Sequence, residues 1–290
     1  MIHIGTSGWS YPTGEGRWDG VFYPPGKNVD HLEFYAQYFD TVEINSSFYR
    51  PIFPNVATNW AKKTPADFRF TVKLYQKFTH PKMYKEATGE EADLAAEDYD
   101  RFEAGLEPLA AAGKLGCLLA QFPPSFKRDE ESLTYLEDLI RRFSRYSLAV
   151  ELRHSSWTER PETFALLESN GVAWCMIDEP KFRSSVGEVP LTSNLAYFRF
   201  HGRNAKEWWT GDRETRYNYL YSPQETDALA DEAREVVDRV EESYLFYNNH
   251  FGAKAVVNAL QMRLKFGQQL AVPPPKTLLK EYPTLKEMLE

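Results

Sequence analysis

The stretch SLAVELR, residues 147–153, decides the fold class of this chain. Leu148, Val150 and Leu152 recur at every second position, which is the spacing of a β-strand, because alternate side chains of a strand point to opposite faces. One face is therefore apolar, whereas the other face ends in a glutamate and an arginine. Such a strand suits a sheet that packs its apolar face on helices and closes its polar face into an interior.

Seven other stretches have the composition of strands, being rich in β-branched and aromatic residues: 2–7, 41–45, 68–74, 115–121, 172–178, 196–201 and 244–249. Helical spacing of apolar residues lies between them, at 98–113, 130–143 and 254–264. A further helix is predicted after Ser222, because Pro223 suits the first helical position and Glu225 completes a capping box. The alternation predicts one (β/α)₈ TIM-barrel domain over residues 1–290, with residues 271–290 as a Pro-rich tail.

The lengths of the connections favour this α/β barrel over a doubly wound open sheet. Connections from a helix to the next strand are short, as at residues 39–40 and 144–146. Connections from a strand to the next helix are long, at residues 8–28, 75–97 and 202–221. In a barrel the long βα loops gather at the C-terminal face, where active sites lie.

Composition and charge limit the classes of partner. The 290 residues carry a net charge of −8, so bulk electrostatics gives no attraction to nucleic acid or to an anionic membrane. The first ten residues do not have the pattern of a signal peptide, and no run of ~18 apolar residues predicts a membrane helix. Cys117 and Cys175 lie in apolar strand-like runs, which indicates buried reduced thiols and a cytoplasmic protein.

The polar faces of the strands predict a pocket at the C-terminal face, because isolated buried charges are costly unless they pair or line a wet site. The candidate catalytic residues are Glu43, Lys73, Glu151, Arg153 and His201. A lysine among arginines can have a lowered pKa and act as a base or nucleophile, whereas a glutamate held by arginine stays ionised. We expect these five side chains to line one cavity, with at least one direct carboxylate–cation pair.

Candidate ligand-binding residues lie at the strand ends and in the loops that follow: Gly8, Trp9, Tyr11, Asn45, Gln121, His154, Trp157, Asp178, Arg199, Arg203, Asn248 and Asn249. The aromatic members, together with Trp208 and Trp209, offer stacking surfaces for sugar rings or bases. We expect an anion site where strands seven and eight end. There Arg199, His201 and Arg203 come together, and a helix starts near Gly252 and Ala253 with free backbone N–H groups.

Eight strings of sequence, in order from residue 5 to about residue 260, resemble the YecE-like family, known as domain of unknown function 72. They are GTSGWSY, FYPPG, VEINSSFYR, FTVK followed by FTHP, QFPPSF, VELRHSSW, YFRFHGR and YNNHFGAKAVVNA. Ala120 departs from the pattern, since a larger apolar residue is expected there. The resemblance implies a TIM barrel distantly similar to those of endonuclease IV and xylose isomerase, and it implies no established activity.

Three kinds of function stay open at this point, and they include both an enzyme and a protein without catalysis. The first is metal-independent acid–base or electrostatic chemistry on a small anionic metabolite, such as a sugar phosphate or a nucleotide-like compound; glycoside hydrolysis by Glu43 and Glu151 belongs to this class. The second is a metal-dependent phosphodiesterase acting on nucleic acid. Such an enzyme needs several metal ligands, and the only histidines near strand ends are His80, His154, His201 and His250. No metal and no cofactor is therefore predicted. The third is a metabolite-binding protein.

Overall fold

A computed structural model describes residues 1–26, 29–208, 211 and 213–289. Within these residues one sheet has nine parallel strands: β1 (Ile2–Ser7), β2 (Thr41–Ile44), β3 (Arg69–Lys73), β4 (Leu115–Gln121), β5 (Leu148–Glu151), β6 (Ala173–Trp174), β7 (Met176–Asp178), β8 (Leu195–Phe200) and β9 (Glu242–Tyr247). Their order is β6-β5-β4-β3-β2-β1-β9-β8-β7. Only Cys175 separates β6 from β7, so the two ends of the sheet meet and the TIM barrel closes.

The predicted strand at residues 172–178 is divided because it changes partners. Its first half pairs with β5 and its second half pairs with β8. At the break the backbone N–H of Trp174 donates to Oγ1 of Thr192 at 2.9 Å rather than to a neighbouring strand. A side chain thus replaces one hydrogen bond of the ladder, which the alternation of apolar residues does not reveal.

The helices that surround the strands are α1 (His31–Tyr35), α2 (Pro54–Lys63), α3 (Gln76–Thr79), α4 (Pro81–Thr88), α5 (Ala96–Ala111), α6 (Glu130–Arg142), α7 (Pro161–Ser169), α8 (Arg213–Arg216), α9 (Pro223–Val237), α10 (Lys254–Lys265), α11 (Lys276–Glu281) and α12 (Pro283–Glu287). The capping box predicted for α9 is confirmed: Ser222 Oγ accepts from the Glu225 N–H, and the Glu225 carboxylate accepts from the Ser222 N–H. Two predicted loops contain helices, since residues 75–97 form α3 and α4 and residues 202–221 carry α8. None of the described helices is both long and apolar enough to cross a membrane.

The barrel interior changes from apolar to polar along its axis. Its lower part is filled by one cluster of buried side chains: Cys117, Leu119, Ala149, Ala173, Cys175, Leu195, Tyr197, Tyr244 and Phe246. Above it Tyr197 Oη lies 2.9 Å from Thr71 Oγ1 and donates to Glu43 at 2.8 Å. The phenol therefore marks the level at which the apolar filling ends and charged groups begin. Residues 271–289 pack on the outside, where Leu278 and Leu285 are fully buried.

Candidate functional site

Arg199 on β8 joins two carboxylates from distant strands at the top of the barrel interior. Its Nη2 donates to Glu43 Oε1 at 2.7 Å, and its Nε donates to Glu43 Oε2 at 2.9 Å. Its Nη1 donates to Glu151 Oε2 at 2.6 Å. Both carboxylates have no exposed surface, and Arg199 is 2% exposed. The three side chains meet because β2, β5 and β8 each turn their polar face inward, as the alternation of apolar residues predicts.

Arg153, just beyond the end of β5, extends this cluster. Its Nε donates to Glu151 Oε1 at 2.5 Å, and its Nη1 lies 3.4 Å from Glu179 Oε2. Its Nη2 lies 3.0 Å from His201 Nε2, and this nitrogen accepts because a guanidinium only donates. Burial, reinforced by Arg153 and Arg199, lowers the pKa of His201 to about 4, so the imidazole is neutral at pH 7.

The pKa values of the carboxyl groups decide which chemistry they support. Burial alone would raise the pKa of Glu43, but Arg199 holds it below its usual value. Arg153 and Arg199 overcome burial in the same way at Glu151 and hold its pKa well below the usual value. Both carboxylates are therefore ionised and fully paired. Neither serves as the protonated acid that glycoside hydrolysis requires, so the cluster does not support that reaction.

A cavity of about 630 Å³ opens above the cluster, at the C-terminal end of the strands. The ionic side chains among its described lining residues are Lys73, Arg153, Arg199 and Arg216, and no carboxylate is among them. The carboxylates of Glu43 and Glu151 offset the charges of Arg153 and Arg199, to which they are bonded. Arg216, together with Lys73 in its protonated form, therefore gives the wall of the cavity its excess positive charge.

Lys73, the last residue of β3, differs from the arginines because a ring faces its amine. Its Nζ lies 3.9 Å from the centre of the Phe48 ring. The backbone oxygen of Lys73 accepts from Ser47 Oγ at 2.6 Å, but its Nζ makes no hydrogen bond and no ion pair with another described residue. Burial, together with the positive charge of Arg199, lowers its pKa to about 7, so about half of the amine is neutral at pH 7.

The structure brings most of the predicted residues to this cavity but places them at different depths. Its lining includes Gly8, Trp9, Tyr11, Asn45, Lys73, Gln121, Arg153, Arg199 and Asn248. The expectation that all five candidate catalytic residues line it is wrong, because Glu43, Glu151 and His201 have no exposed surface and lie behind the lining. They contact Arg153 and Arg199, which do line the cavity. The catalytic and binding roles of the whole set stay predictions.

The anion site expected at the ends of strands seven and eight does not form as predicted. The N–H of Gly252 donates to Gly16 O at 3.0 Å and that of Ala253 to His250 O at 3.2 Å, so neither is free. Helix α10 begins only at Lys254, after two residues in the left-handed conformation. Hydrogen bonds within the protein thus use the N–H groups that were expected to hold an anion.

The other side chains predicted for that site also make hydrogen bonds within the protein, and several further ligand candidates are not among the described lining residues of the cavity. Arg203 Nη2 donates to Asp178 Oδ2 at 2.7 Å, and Asn249 Nδ2 donates to Tyr219 O at 2.8 Å. Trp157 is fully buried and donates from Nε1 to Phe126 O at 2.7 Å. His154 bonds Ser156 Oγ through Nδ1 at 2.9 Å. Trp208 is also buried, and Trp209 lies outside the described residues.

Sequence reasoning missed the lining residues Phe48, Trp60, Arg216 and Tyr217, and it considered His80, which also lines the cavity, only as a metal ligand. Phe48 and His80 follow β2 and β3 within the strings VEINSSFYR and FTHP, so their place after a strand was a usable signal. His80 is neutral, because burial and the nearby Lys73 charge lower its pKa to about 3. Trp60 lies on α2, on whose sequence no feature marks a residue that reaches the cavity.

The histidines and carboxylates do not form a recognisable metal centre. Among the residues the structure describes, no three or more His, Cys, Asp or Glu side chains are grouped as metal ligation requires. The carboxylates nearest the cavity are held by guanidiniums, which compete with a metal ion for the same oxygens. The donor set of the metal-dependent alternative is thus not found in this part of the chain.

Comparisons with known proteins agree with this architecture. The family described as "Protein of unknown function DUF72" matches residues 3–280. The UPF0759 protein YunF of Bacillus subtilis is 31% identical over 276 residues, which cover 90% of this chain and 93% of that protein. The UPF0759 protein YecE of Escherichia coli K12 is 28% identical over 163 residues, 56% of this chain and 52% of that protein.

Solved structures are similar over nearly the whole length. The crystal structure of a DUF72 family protein from Thermotoga maritima has a TM-score of 0.78 and 37% identity, and the match covers 92% of this chain and 99% of that one. A DUF72 family protein from Enterococcus faecalis has a TM-score of 0.76 and 26% identity, covering 93% and 98%. The barrel described above, with its ionic cluster and cationic cavity, therefore belongs to a member of the DUF72 family.

Proposed function

We propose that the cavity binds a small anionic metabolite, such as a sugar phosphate or a nucleotide-like compound, and transforms it by metal-independent acid–base chemistry. One observation carries this proposal: the ionic side chains among the described lining residues are all cationic, while the carboxylates lie behind them. An anion that enters meets Lys73, Arg153 and Arg216 and can form charge-assisted hydrogen bonds. A size of about 630 Å³ suits a metabolite rather than a polymer.

Lys73 is the proposed proton-transfer group. A general base works best when its pKa lies near the operating pH, and Lys73, with a pKa of about 7, meets that condition. The ionised Glu43 and Glu151 and the neutral His201 instead hold Arg153 and Arg199 in position. Trp9 and Tyr11 supply flat surfaces on which a sugar ring or a base can stack.

The alternatives receive less support. A nucleic-acid phosphodiesterase would act with a net charge of −8 and without a grouped metal-ligand set in the described part of the chain. A metabolite-binding protein without catalysis would also have a cationic cavity, but binding alone does not require an amine with a lowered pKa. A cytoplasmic location belongs to the same proposal, since Cys117 and Cys175 are buried and unpaired.

Calorimetric titration with inorganic phosphate, glycerol 3-phosphate and nucleoside monophosphates tests the proposal. We expect one site per chain, and we expect Arg153→Gln to weaken binding about tenfold or more, because a charge-assisted hydrogen bond is lost. Arg216→Gln repeats the test at a residue outside the buried cluster. Arg142→Gln is the matched control, because Arg142 pairs with Glu103 at 3.1 Å on the outer helices.

Thermal unfolding gives an independent measurement of the same binding. Even a millimolar site at tenfold ligand excess should add about 1.4 kcal/mol of stability. If none of these compounds at millimolar concentration stabilises the protein or binds in the calorimeter, the proposal fails.

A further inference from the structure

The amine of Lys73 makes no hydrogen bond and no ion pair with another described residue of the protein. Other buried or partly buried lysines of the barrel have polar partners: Lys77 donates to Asp98 at 2.8 Å, and Lys114 donates to the Ala61 and Thr64 carbonyl oxygens at 2.6 Å. Lys73 instead ends inside the cavity against the face of Phe48 and has no polar partner among the described residues. A partly buried amine without an acidic partner carries an energetic cost. That cost is explained if the amine reacts with a bound molecule.

The surroundings of Lys73 favour a nucleophile over a permanent cation. Burial disfavours a protonated amine at Lys73, and the charges of Arg199 and Arg153, which face the same cavity, act in the same direction, whereas Glu151 and Glu43 behind them act against it. A lysine that is desolvated or lies next to another cation is the usual form of an amine that attacks carbonyl groups. The aromatic face of Phe48, 3.9 Å from Nζ, stabilises a cation that forms at that nitrogen later in the reaction.

We propose that Lys73 forms a reversible imine with a small aldehyde or ketone that carries a phosphate or carboxylate group. This inference rests on the proposed function, because the anionic group is to be bound by Arg153 and Arg216 while the carbonyl carbon faces Nζ. The lone pair of Nζ attacks that carbon, the C–O π bond breaks, and the oxygen takes up a proton. The carbinolamine then loses water to give the protonated imine, so that the neutral amine, the carbonyl and one proton taken from solvent water in the cavity yield the protonated imine and water with no change of oxidation state.

The oxygen that leaves as water needs hydrogen-bond partners close to the amine. His80 lines the same cavity and is neutral at pH 7, with Nδ1 2.9 Å from Thr79 Oγ1 and Nε2 3.4 Å from Gln121 Nε2. Asn45 and Gln121 also line the cavity and present amides to a hydroxyl group. These three side chains supply hydrogen-bond partners for the oxygen that leaves as water.

The test is reductive trapping on the full chain. The protein is incubated with dihydroxyacetone phosphate, glyceraldehyde 3-phosphate or pyruvate in the presence of sodium cyanoborohydride, and the adduct is located by intact mass and peptide mapping. We expect a single adduct per chain at Lys73 from at least one of these probes. Lys73→Arg should lose the adduct, and Lys77→Arg should keep it. Mapping on the native chain keeps the test valid even if Lys73→Arg fails to fold.

Three outcomes overturn parts of the proposal, and they can be distinguished. If glycerol 3-phosphate binds but no probe modifies Lys73, the imine is refuted and the proposed anion site stands. If the carbonyl-free phosphates do not bind and Lys73 is not modified, both proposals fail. If uncharged dihydroxyacetone modifies Lys73 as fast as its phosphate, rather than about tenfold more slowly, the anionic substrate class is wrong.

Discussion

At the scale of single residues, Glu151 is the carboxylate on which the two central arginines depend. It accepts from Arg153 at 2.5 Å and from Arg199 at 2.6 Å and is itself fully buried. In Glu151→Ala, Arg199 keeps Glu43, but Arg153 keeps only the neutral His201 at 3.0 Å and the carboxyl group of Glu179 at 3.4 Å. We expect the free energy of unfolding to fall by about 3–5 kcal/mol, because an uncompensated charge stays in a confined site. Urea denaturation followed by circular dichroism measures this loss.

The control for this prediction is Glu91→Ala, which removes an exposed partner of Lys85. Exposed ion pairs contribute about 0–1 kcal/mol, so this variant should unfold close to the native midpoint. A loss at Glu151 as small as that at Glu91 would contradict the prediction and would mean that water in the cavity hydrates Arg153.

At the scale of elements, the N-terminus of α9 anchors the loop that carries Arg216 and Tyr217 to the cavity. Ser222 caps the helix, and Glu225 accepts from Tyr219 Oη at 2.6 Å and from Arg203 Nη1 at 3.3 Å. The helix start and the loop over the barrel are therefore joined by one carboxylate. A substitution in the cap should therefore affect both the start of α9 and the loop.

Ser222→Ala should lower the free energy of unfolding by about 0.5–2 kcal/mol, because the N–H of Glu225 loses its acceptor. Denaturant titration of the native chain and the variant gives the difference. Ser169→Ala, at the exposed end of α7, is the control and should change stability by less than about 0.5 kcal/mol. Equal effects of the two substitutions would show that the capping box does not stabilise α9.

At the scale of the whole molecule, a buried histidine adds an ionic link between the first and last strands of the chain, which also pair through their backbones. His3 on β1 bonds Asp40 at 2.7 Å, and its other nitrogen lies 3.5 Å from Glu242 on β9. Burial alone would lower the pKa of His3, but these two carboxylates raise it to about 9. The protonated imidazole thus links β1 to β9 through the Glu242 carboxylate.

Stability should therefore depend on pH above neutrality. The folded pKa of about 9 exceeds the unfolded value of 6.5, so the stabilisation by His3 is fully present below pH 6.5 and is lost as pH rises through 9. The expected loss is about 3 kcal/mol between pH 6 and pH 9.5. Lys73 acts in the opposite direction, because its pKa is lowered in the folded state.

The His3 contribution is therefore measured as a difference between two proteins. Urea denaturation of the native chain and of His3→Gln at pH 6 and pH 9.5 cancels the part that comes from Lys73. The native chain should lose its advantage over the variant at the higher pH. If the difference between the two proteins is the same at both pH values, His3 is not protonated in the folded barrel.

Much of this organisation could be predicted because it is local. Strands at residues 2–7 and 115–121 have the bounds that the sequence predicts. An alternation with period two also determines that Glu43, Lys73, Glu151 and Arg199 turn inward, since the pleat leaves each side chain only two directions. The barrel and the polar character of its C-terminal end follow from the same pattern.

Only the tertiary structure decided which of these inward side chains pair and which stay free. Glu43 and Arg199 are 156 positions apart in the sequence, and their contact depends on the diameter and stagger of the closed barrel. The same geometry buries both glutamates and leaves Lys73 without an acidic partner. It also brings the N–H of Gly252 within hydrogen-bond distance of the Gly16 oxygen. The sequence by itself thus determined the face on which each charge lies. The folded barrel decided the distances between charges, and hence their pKa values and the chemistry that they support, because electrostatic interaction depends on separation and burial.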